Sequence, residues 1–253
     1  MAILRAVRGA LRMDEFVGLP VSDVSVATSD RIVVNYSPVW FTELLGSFEY
    51  GPFGVTGTVT AVNQTSEDGS LNFSLTGASA DAQEIFDLTV EGKYDLAQQI
   101  LLSGDDAVYG GRNDDVLLGY DGRDIIRGGD GDDVLTGGFG ADRLKGGTGA
   151  DIFVFQSTFD SGVVGTTRDV IVDFSREDGD KIDLWQVDAV AGNEQNDEFT
   201  AIVDRFSGAS GELRVRASAN GYFVSGDVDG DRRADFSIFV VSDTPLVAAD
   251  FVL

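Results

Sequence analysis

The chain has 253 residues and a net charge of −25, with 43 acidic and 18 basic residues. This charge argues against binding to nucleic acid or to anionic membrane surfaces. There is no cysteine and no histidine, which excludes disulfides, histidine-ligated zinc and Ser-His-Asp or Cys-His nucleophiles. Carboxylate pairs, lysine or tyrosine chemistry and calcium-assisted lyase chemistry remain as catalytic options.

No run of apolar residues is long enough to span a membrane, so stable membrane insertion is not expected. The N-terminal segment contains Arg5, Arg8 and Arg12, which interrupt any apolar core. This segment therefore lacks the pattern of a Sec signal peptide.

The sequence of residues 1–100 predicts a small N-terminal β domain. Apolar and polar residues alternate there in four segments, as in half-buried strands. These segments are Asp30–Asn35, Gly54–Val62, Ser70–Thr76 and Glu84–Val90. Lys93–Leu102 has a helical rhythm but also fits a first strand or cap for the repeats that follow. No phosphate loop, metal cluster or nucleophile with a base occurs in this part of the sequence.

A nine-residue repeat occupies Gly104–Phe155. With Gly110 as position 1, every repeat has aspartate at position 6 and a large apolar residue at position 8. The position-6 residues are Asp106, Asp115, Asp124, Asp133, Asp142 and Asp151. The position-8 residues are Val108, Leu117, Ile126, Leu135, Leu144 and Phe153. A disordered acidic linker, the alternative for a Gly- and Asp-rich stretch, would lack this apolar ladder.

Stacking is required because one nonapeptide cannot bury an apolar face alone. Two nonapeptides close one coil of a parallel β-roll, with position 8 pointing inward and glycine-rich turns at the edges. Turns then face turns two repeats away. Carbonyl and carboxylate oxygens converge there, and calcium accepts six to eight oxygen ligands in loose geometry.

Calcium sites are therefore predicted between repeats n and n+2. The predicted aspartate pairs are Asp106–Asp124, Asp115–Asp133, Asp124–Asp142 and Asp133–Asp151. Asp160 continues the frame and is predicted to close a site with Asp142, and Asp169 is the weaker candidate because a glycine-rich insertion precedes it. The other predicted ligands are Gly104, Gly110, Arg112, Asn113, Gly119, Asp121, Gly122, Gly128, Asp130, Gly131, Gly137, Phe139, Gly140, Gly146, Thr148 and Gly149.

The unit G-G-x-G-x-D-x-U-x, with U apolar, resembles the calcium-binding nonapeptide of RTX proteins. The resemblance implies a β-roll that holds several calcium ions. Without calcium the crowded carboxylates repel one another, and the repeat block is expected to be disordered.

Residues 150–253 resemble the C-terminal domain of the serralysin metalloproteases. The resemblance depends on several motifs that occur in the same order as in that family, among them ADIFVFQSTFDS, DVIVDF, GDKIDLW, GDVDGDRRADF and AADFVL. Strands are expected at Asp169–Phe174, Glu212–Arg216, Tyr222–Val224 and Phe236–Val241. The resemblance implies type I export from a Gram-negative bacterium, with an export signal at Asp250–Leu253. The zinc-binding H-E-x-x-H helix of the serralysin protease domain is missing, because the chain has no histidine.

A second candidate calcium loop is formed by Asp227, Asp229, Asp231 and Asp235. Oxygen ligands at alternating positions can wrap one calcium ion. Arg232 occupies the place where such a loop normally has glycine. A solvated acidic hairpin is the alternative.

The expectation is an all-β protein: an N-terminal β domain (1–100), a parallel β-roll (101–154) and a C-terminal β domain (155–253). We expect a secreted or surface-associated, non-enzymatic protein that folds on calcium after export. Its N-terminal domain would bind an unknown extracellular partner or glycan. Two alternatives stay open, a small polysaccharide-acting enzyme that uses carboxylates and a domain that only caps the roll.

Overall fold

The computed structural model describes residues 6–7, 10–11, 23–27, 30–37, 40–51, 54–66, 71–82, 84–85, 99–192 and 195–253. The chain divides into two compact units, Met1–Ala107 and Val108–Leu253. Strands dominate both units, which confirms the predicted all-β class. The predicted domain boundaries at residues 100 and 155 stay predictions.

The first unit contains an antiparallel sheet in which each strand pairs with the next along the chain. Its strands are β3 (Asp23–Ala27), β4 (Arg31–Ser37), β5 (Trp40–Gly51), β6 (Gly54–Ser66) and β7 (Leu71–Asp81). β1 (Ala6–Val7) and β2 (Ala10–Leu11) form a separate antiparallel ribbon. The predicted strands at 30–35, 54–62 and 70–76 are confirmed by β4, β6 and β7 within the described residues.

The predicted strand Glu84–Val90 is wrong at its start. The backbone is helical at 84–85, and the N–H of Glu84 donates to Oδ1 of Asp81 over 3.0 Å. A side chain that accepts from an N–H three residues later favours a helix start. Ile85 is buried and lies in a cluster with Ala80, while Ile100 and Leu101 pack against that cluster. Residues 86–90 lie outside the described part of the chain.

Two sheets, here called sheet I and sheet II, form the second unit. Along sheet I, the strands from the N-terminal repeats onward are β8 (Ala107–Tyr109), β10 (Ile125–Asp130), β12 (Arg143–Thr148), β14 (Val170–Ile171), β19 (Phe236–Val240), β18 (Gly221–Asp227), β17 (Glu212–Ser218) and β16 (Ala201–Ile202). Sheet II contains β9 (Val116–Gly122), β11 (Val134–Gly140), β13 (Ile152–Val154), β15 (Lys181–Asp183) and β20 (Phe251–Val252). Successive repeats alternate between the two sheets, as a β-roll requires.

Apolar side chains of position 8 stack in register inside the roll. Ile126 pairs with Leu144, and Leu117 pairs with Leu135, which in turn pairs with Phe153. The same parallel register continues beyond the repeats. The residues that extend it are Ile171 and Val240 in sheet I and Ile182 and Phe251 in sheet II.

The C-terminal residues add antiparallel strands to the roll. β17 pairs with β18, and β18 pairs with β19, both antiparallel. These strands confirm the predictions at 212–216, 222–224 and 236–241, whereas the strand predicted at 169–174 is shorter and comprises Val170–Ile171. A short 3-10 helix, Ala248–Asp250, precedes β20. Within the described residues, no helix has both the length and the apolar character needed to cross a membrane.

Replacing Ile126 with alanine tests the apolar ladder. Ile126 is 0% exposed, whereas its neighbour Ile125 is 38% exposed. Ile126→Ala leaves a cavity between stacked coils and is expected to lower the free energy of unfolding by about 2–4 kcal/mol. Urea unfolding at saturating calcium measures this value. Ile125→Ala is the matched control and is expected to lose well under half as much; equal losses would contradict an inward-facing ladder.

Candidate metal centre

The position-6 aspartates form two stacks along the turns of the roll, one through Asp115, Asp133 and Asp151 and the other through Asp124 and Asp142. The backbone N–H of each residue donates to Oδ1 of the aspartate one coil further on, over 2.8 Å from Asp115 to Asp133 and 3.0 Å from Asp133 to Asp151. Asp124 donates in the same way to Asp142 over 2.8 Å. Three of the predicted aspartate pairs are therefore brought together. The pairing of Asp106 with Asp124 stays a prediction.

The second carboxylate oxygen, Oδ2, of these stacked aspartates has a different environment from Oδ1. Oδ2 of Asp133, Asp151 and Asp169 is buried, and none of the three accepts a hydrogen bond from a described residue. A buried anionic oxygen without a donor is costly. These oxygens are thus suited to a cation that approaches from within the turn.

Burial is the main reason why these carboxyl groups resist ionisation. It raises the pKa of Asp133 to about 6, and neighbouring carboxylates such as Asp115 add to the rise. It raises the pKa of Asp151 to about 7, with Asp180 as the strongest like-charged neighbour. It raises the pKa of Asp169 to about 9, with Asp142 as that neighbour. A bound divalent cation would reverse this preference, because it favours the ionised form.

Position 1 must be glycine because oxygen atoms crowd its α-carbon. A Cβ atom at Gly128 would lie 2.1 Å from Oδ2 of Asp133 and 2.6 Å from the carbonyl oxygen of Gly146. A Cβ at Gly146 would likewise lie 2.1 Å from Oδ2 of Asp151. At Gly110, Gly119 and Gly128, oxygens from two successive coils converge around the position-1 glycine. This donor set fits calcium, which binds carboxylate and carbonyl oxygens together.

The other predicted ligands lie at the strand ends and in the turns beside these carboxylates. The carbonyl of Thr148 accepts from the N–H of Gly131 over 2.9 Å, and Oγ1 of Thr148 donates to Oδ1 of Asp130 over 3.0 Å. Position 5 forms an outer ladder, in which the N–H of Asp132 donates to Oδ1 of Asp114 over 2.8 Å. Calcium ligation by the predicted position-1, position-3 and position-4 residues stays a prediction.

Asp160 does not take the place that the nine-residue frame predicts for it. Oδ2 of Asp160 instead accepts from the N–H groups of Gln156 and Ser157, at 2.7 and 3.2 Å. Oδ1 of Asp169 accepts from the N–H of Asp142 over 2.9 Å and so occupies that place. The extra residues between β13 and β14 shift the spacing from 18 to 27 residues, which the repeat frame did not anticipate.

Asp180 continues the stack of Asp133 and Asp151, although the sequence favours a polar turn over metal ligation for the acids of 177–183. Asp173, which is not among the predicted ligands, lies beside the last repeat turn. Oδ1 of Asp180 accepts from the N–H of Asp151 over 3.0 Å. The two oxygens of Asp173 accept from the N–H groups of Gly146 and Gly147, at 3.0 and 3.1 Å. A signal for the first was present, because Asp180-Lys181-Ile182 repeats the order aspartate, any residue, apolar residue.

The loop from Asp227 to Asp235 brings together three of its four predicted ligands. One carboxylate oxygen from each of Asp227, Asp229 and Asp235 lies within 4.8 Å of the other two. Asp231 is not in this group, and its Oδ1 accepts from the N–H of Arg233 over 2.7 Å. Arg232 has φ +73°, the left-handed conformation that glycine adopts easily. Metal binding at this loop stays a prediction.

The predicted export signal, Asp250–Leu253, includes the last strand of sheet II. Asp250 is buried, and its two oxygens accept from Nε and a terminal nitrogen of Arg176 at 2.6 and 2.5 Å. Burial alone would raise the pKa of Asp250, but the hydrogen bonds from Arg176 hold it below its ordinary value. The end of the roll is thus neutralised by the protein itself.

Comparison with known proteins identifies one family. The peptidase M10 serralysin C-terminal family matches residues 89–253. None of the curated proteins matches the chain. Two solution structures of subunits from the Azotobacter vinelandii mannuronan C5-epimerase are similar to it. AlgE6R3 is 27% identical over 59% of this chain and 77% of that chain, with a TM-score of 0.42. AlgE6R2 is 29% identical over 57% and 90%, with a TM-score of 0.40.

Substitution of adjacent aspartates tests the assignment of the turn oxygens. Asp133 is buried in the stack, whereas Asp132 is exposed on the outer ladder. Asp133→Asn removes an anionic oxygen from the turn and is expected to weaken calcium binding about tenfold or more. Isothermal titration calorimetry measures the affinity. Asp132→Asn is the control with the same change of charge, and an equal loss there would show that only net charge matters.

The pH dependence of the metal-free fold follows from the raised pKa values. The pKa of Asp151 rises from 3.8 to about 7 on folding, so the folded state binds more protons than the unfolded state between these values. The free energy of unfolding without calcium is therefore expected to fall as the pH rises through that range.

Circular dichroism with a chelator, from pH 4 to pH 8, checks this direction. Saturating calcium is expected to reverse it, because protons then compete with the bound cation. A metal-free fold that gains stability with rising pH would contradict the role of these carboxyl groups.

Proposed function

Because this chain belongs to the peptidase M10 serralysin C-terminal family, we propose that it is a secreted RTX protein whose fold forms on calcium binding after type I export. The chain is of the calcium-binding, secreted RTX type. It contains no histidine, so the zinc-binding protease motif does not occur in it. We further propose that export comes before calcium binding and folding, and that residues 1–100 carry the specific binding role.

The observation that carries the proposal is the stack of buried carboxylates. Oδ2 of Asp133 and Asp151 lacks a donor among the described residues, although both side chains are fully buried. Without a cation the roll must protonate these groups or bury charges side by side. Extracellular calcium sites work at roughly 0.1–1 mM. A chain with such sites therefore remains unfolded where calcium is scarce and folds where it is abundant.

The position of the C-terminal segment supports the export step. In the folded chain Phe251 pairs with Ile182 in sheet II, and Asp250 is held by Arg176. An exporter that recognises Asp250–Leu253 would therefore bind this segment before the roll forms. Folding outside the cell would then remove the segment from the exporter and oppose backward movement of the chain.

We assign the specific binding role to residues 1–100. The described strands β3 to β7 belong to the first compact unit, Met1–Ala107. An antiparallel sheet of this kind can bind a glycan or a surface partner, which is the role proposed for it here. The enzyme and cap alternatives for residues 1–100 stay predictions.

Calcium titration of the full chain tests the proposed switch. In chelator at pH 7.5, far-ultraviolet circular dichroism is expected to show little β structure from the repeats. Calcium at roughly 0.1–1 mM is expected to produce it cooperatively.

Magnesium is the control cation, because it requires near-octahedral geometry and dehydrates reluctantly. Equal folding in magnesium, or a complete fold in chelator, would contradict the proposal. A glycan array probed with the calcium-loaded chain then tests the binding role of residues 1–100.

A further inference from the structure

An enlarged turn between β13 and β14, residues 156–168, carries exposed apolar side chains. Phe159 is 78% exposed, Val163 is 41% exposed and Val164 is 54% exposed. A Cβ atom at Gly165 would meet no atom within 4 Å. The tip of this turn therefore projects into solvent. Exposed apolar groups on a projecting tip indicate an interaction surface.

Cationic side chains hold this turn and flank it. A terminal nitrogen of Arg168 donates to the carbonyl of Val163, and one of Arg123 donates to the carbonyl of Thr166 over 3.2 Å. The guanidinium carbon of Arg168 lies 4.8 Å from the ring centre of Phe223. That of Arg216 lies 5.1 Å from the same ring. The apolar tip and the arginines therefore form one continuous surface.

Arg168 and Arg216 carry the positive charge at the base of this turn. Among the described residues, neither Arg168 nor Arg216 forms an ion pair. Burial and the nearby Arg216 lower the pKa of Arg168, as expected for like charges held together. Arg143, which is exposed, extends the cationic face, because it pairs with Val170 two residues after Arg168. An unpaired cationic cluster is unusual in a chain of net charge −25.

We propose that the 156–168 turn and Arg143, Arg168 and Arg216 form a docking surface for an anionic lipid bilayer. A bilayer supplies both complements at once, since anionic headgroups attract the arginines and the interface accepts Phe159 and Val164. An acidic polysaccharide would use the arginines but would leave the apolar tip in water.

The net charge of the chain does not prevent this docking. Charges separated by more than about 8 Å are largely screened at physiological ionic strength, so the local cationic face decides the contact. Arg168 is followed directly by Asp169, which lies in the buried carboxylate stack. Calcium that neutralises the stack therefore also fixes the base of the docking turn. Lipid binding is accordingly a property of the calcium-loaded chain.

Insertion of the turn is tested by a fluorescent probe at its tip. Phe159→Trp is made in the Trp40→Phe/Trp185→Phe background, which removes both native tryptophans, and is loaded with calcium. Vesicles of phosphatidylcholine with phosphatidylglycerol are expected to shift its emission to shorter wavelength and to allow quenching by brominated lipid. Phosphatidylcholine vesicles alone are expected to give neither effect. An unchanged emission with anionic vesicles overturns the proposal.

Flotation with the same vesicles separates the apolar and charged contributions. Phe159→Ser/Val164→Ser is expected to reduce partitioning roughly tenfold, whereas Trp185→Ser/Ile202→Ser, at exposed sites elsewhere, is expected to leave it unchanged. Arg143→Gln/Arg216→Gln is expected to reduce it severalfold more than Arg205→Gln/Arg233→Gln, which removes the same charge outside this surface.

Two outcomes overturn the proposal by assigning the surface differently. Equal partitioning of all four double variants would show that calcium merely bridges acidic side chains to headgroups. Binding of a soluble polyuronate that requires Arg143 and Arg216 but not Phe159, without vesicle binding, would make the surface a carbohydrate site. Calcium-dependent circular dichroism of each variant shows that the fold is retained.

Discussion

A column of aspartates buried between successive turns is the constraint on which the roll depends. Each Oδ1 is tied to the backbone of the preceding coil, as between Asp133 and Asp115. Each such hydrogen bond fixes the register of two coils, but it also fixes a carboxylate in a site that water reaches poorly. The geometry that aligns the strands therefore creates the electrostatic cost. Either protonation or a cation from outside the chain can remove that cost.

The apolar ladder does not by itself hold the coils together. Strands such as β13 and β15 comprise only three residues each, and each coil contributes one large inward side chain per sheet. Burial of one such side chain stabilises by about 1.5–3 kcal/mol, which is comparable to the cost of fixing one or two residues. Burial of the ladder therefore leaves little free energy to offset the cost of burying the carboxylates. The tight turns add a further demand, since a Cβ at position 1 would collide with ligand oxygens, as at Gly128.

Sequence periodicity predicts the regular part of this architecture well, because positions 6 and 8 each have one physical role. It predicts the pairing of Asp124 with Asp142 and the buried ladder through Phe153. It fails where the interval between coils changes: the longer turn before β14 places Asp169, 27 residues after Asp142, where Asp160 was expected. The interval there is set by how the inserted residues fold, which the repeat does not encode. At Glu84 the alternation of apolar and polar residues predicts a strand. The hydrogen bond from the N–H of Glu84 to Asp81 instead favours the start of a helix.

Carboxylates in the middle of the roll and the carboxylate at its C-terminal end have different partners. In the middle, Asp133 and Asp151 have no basic partner among the described residues. At the C-terminal end, Asp250 is neutralised by Arg176 through two hydrogen bonds. Arg176 lies between Asp173 and Asp180, whose carboxylates cap the last repeat turns. The intramolecular ion pair therefore forms at its full strength only after those turns are in place, since an exposed, unordered pair contributes little.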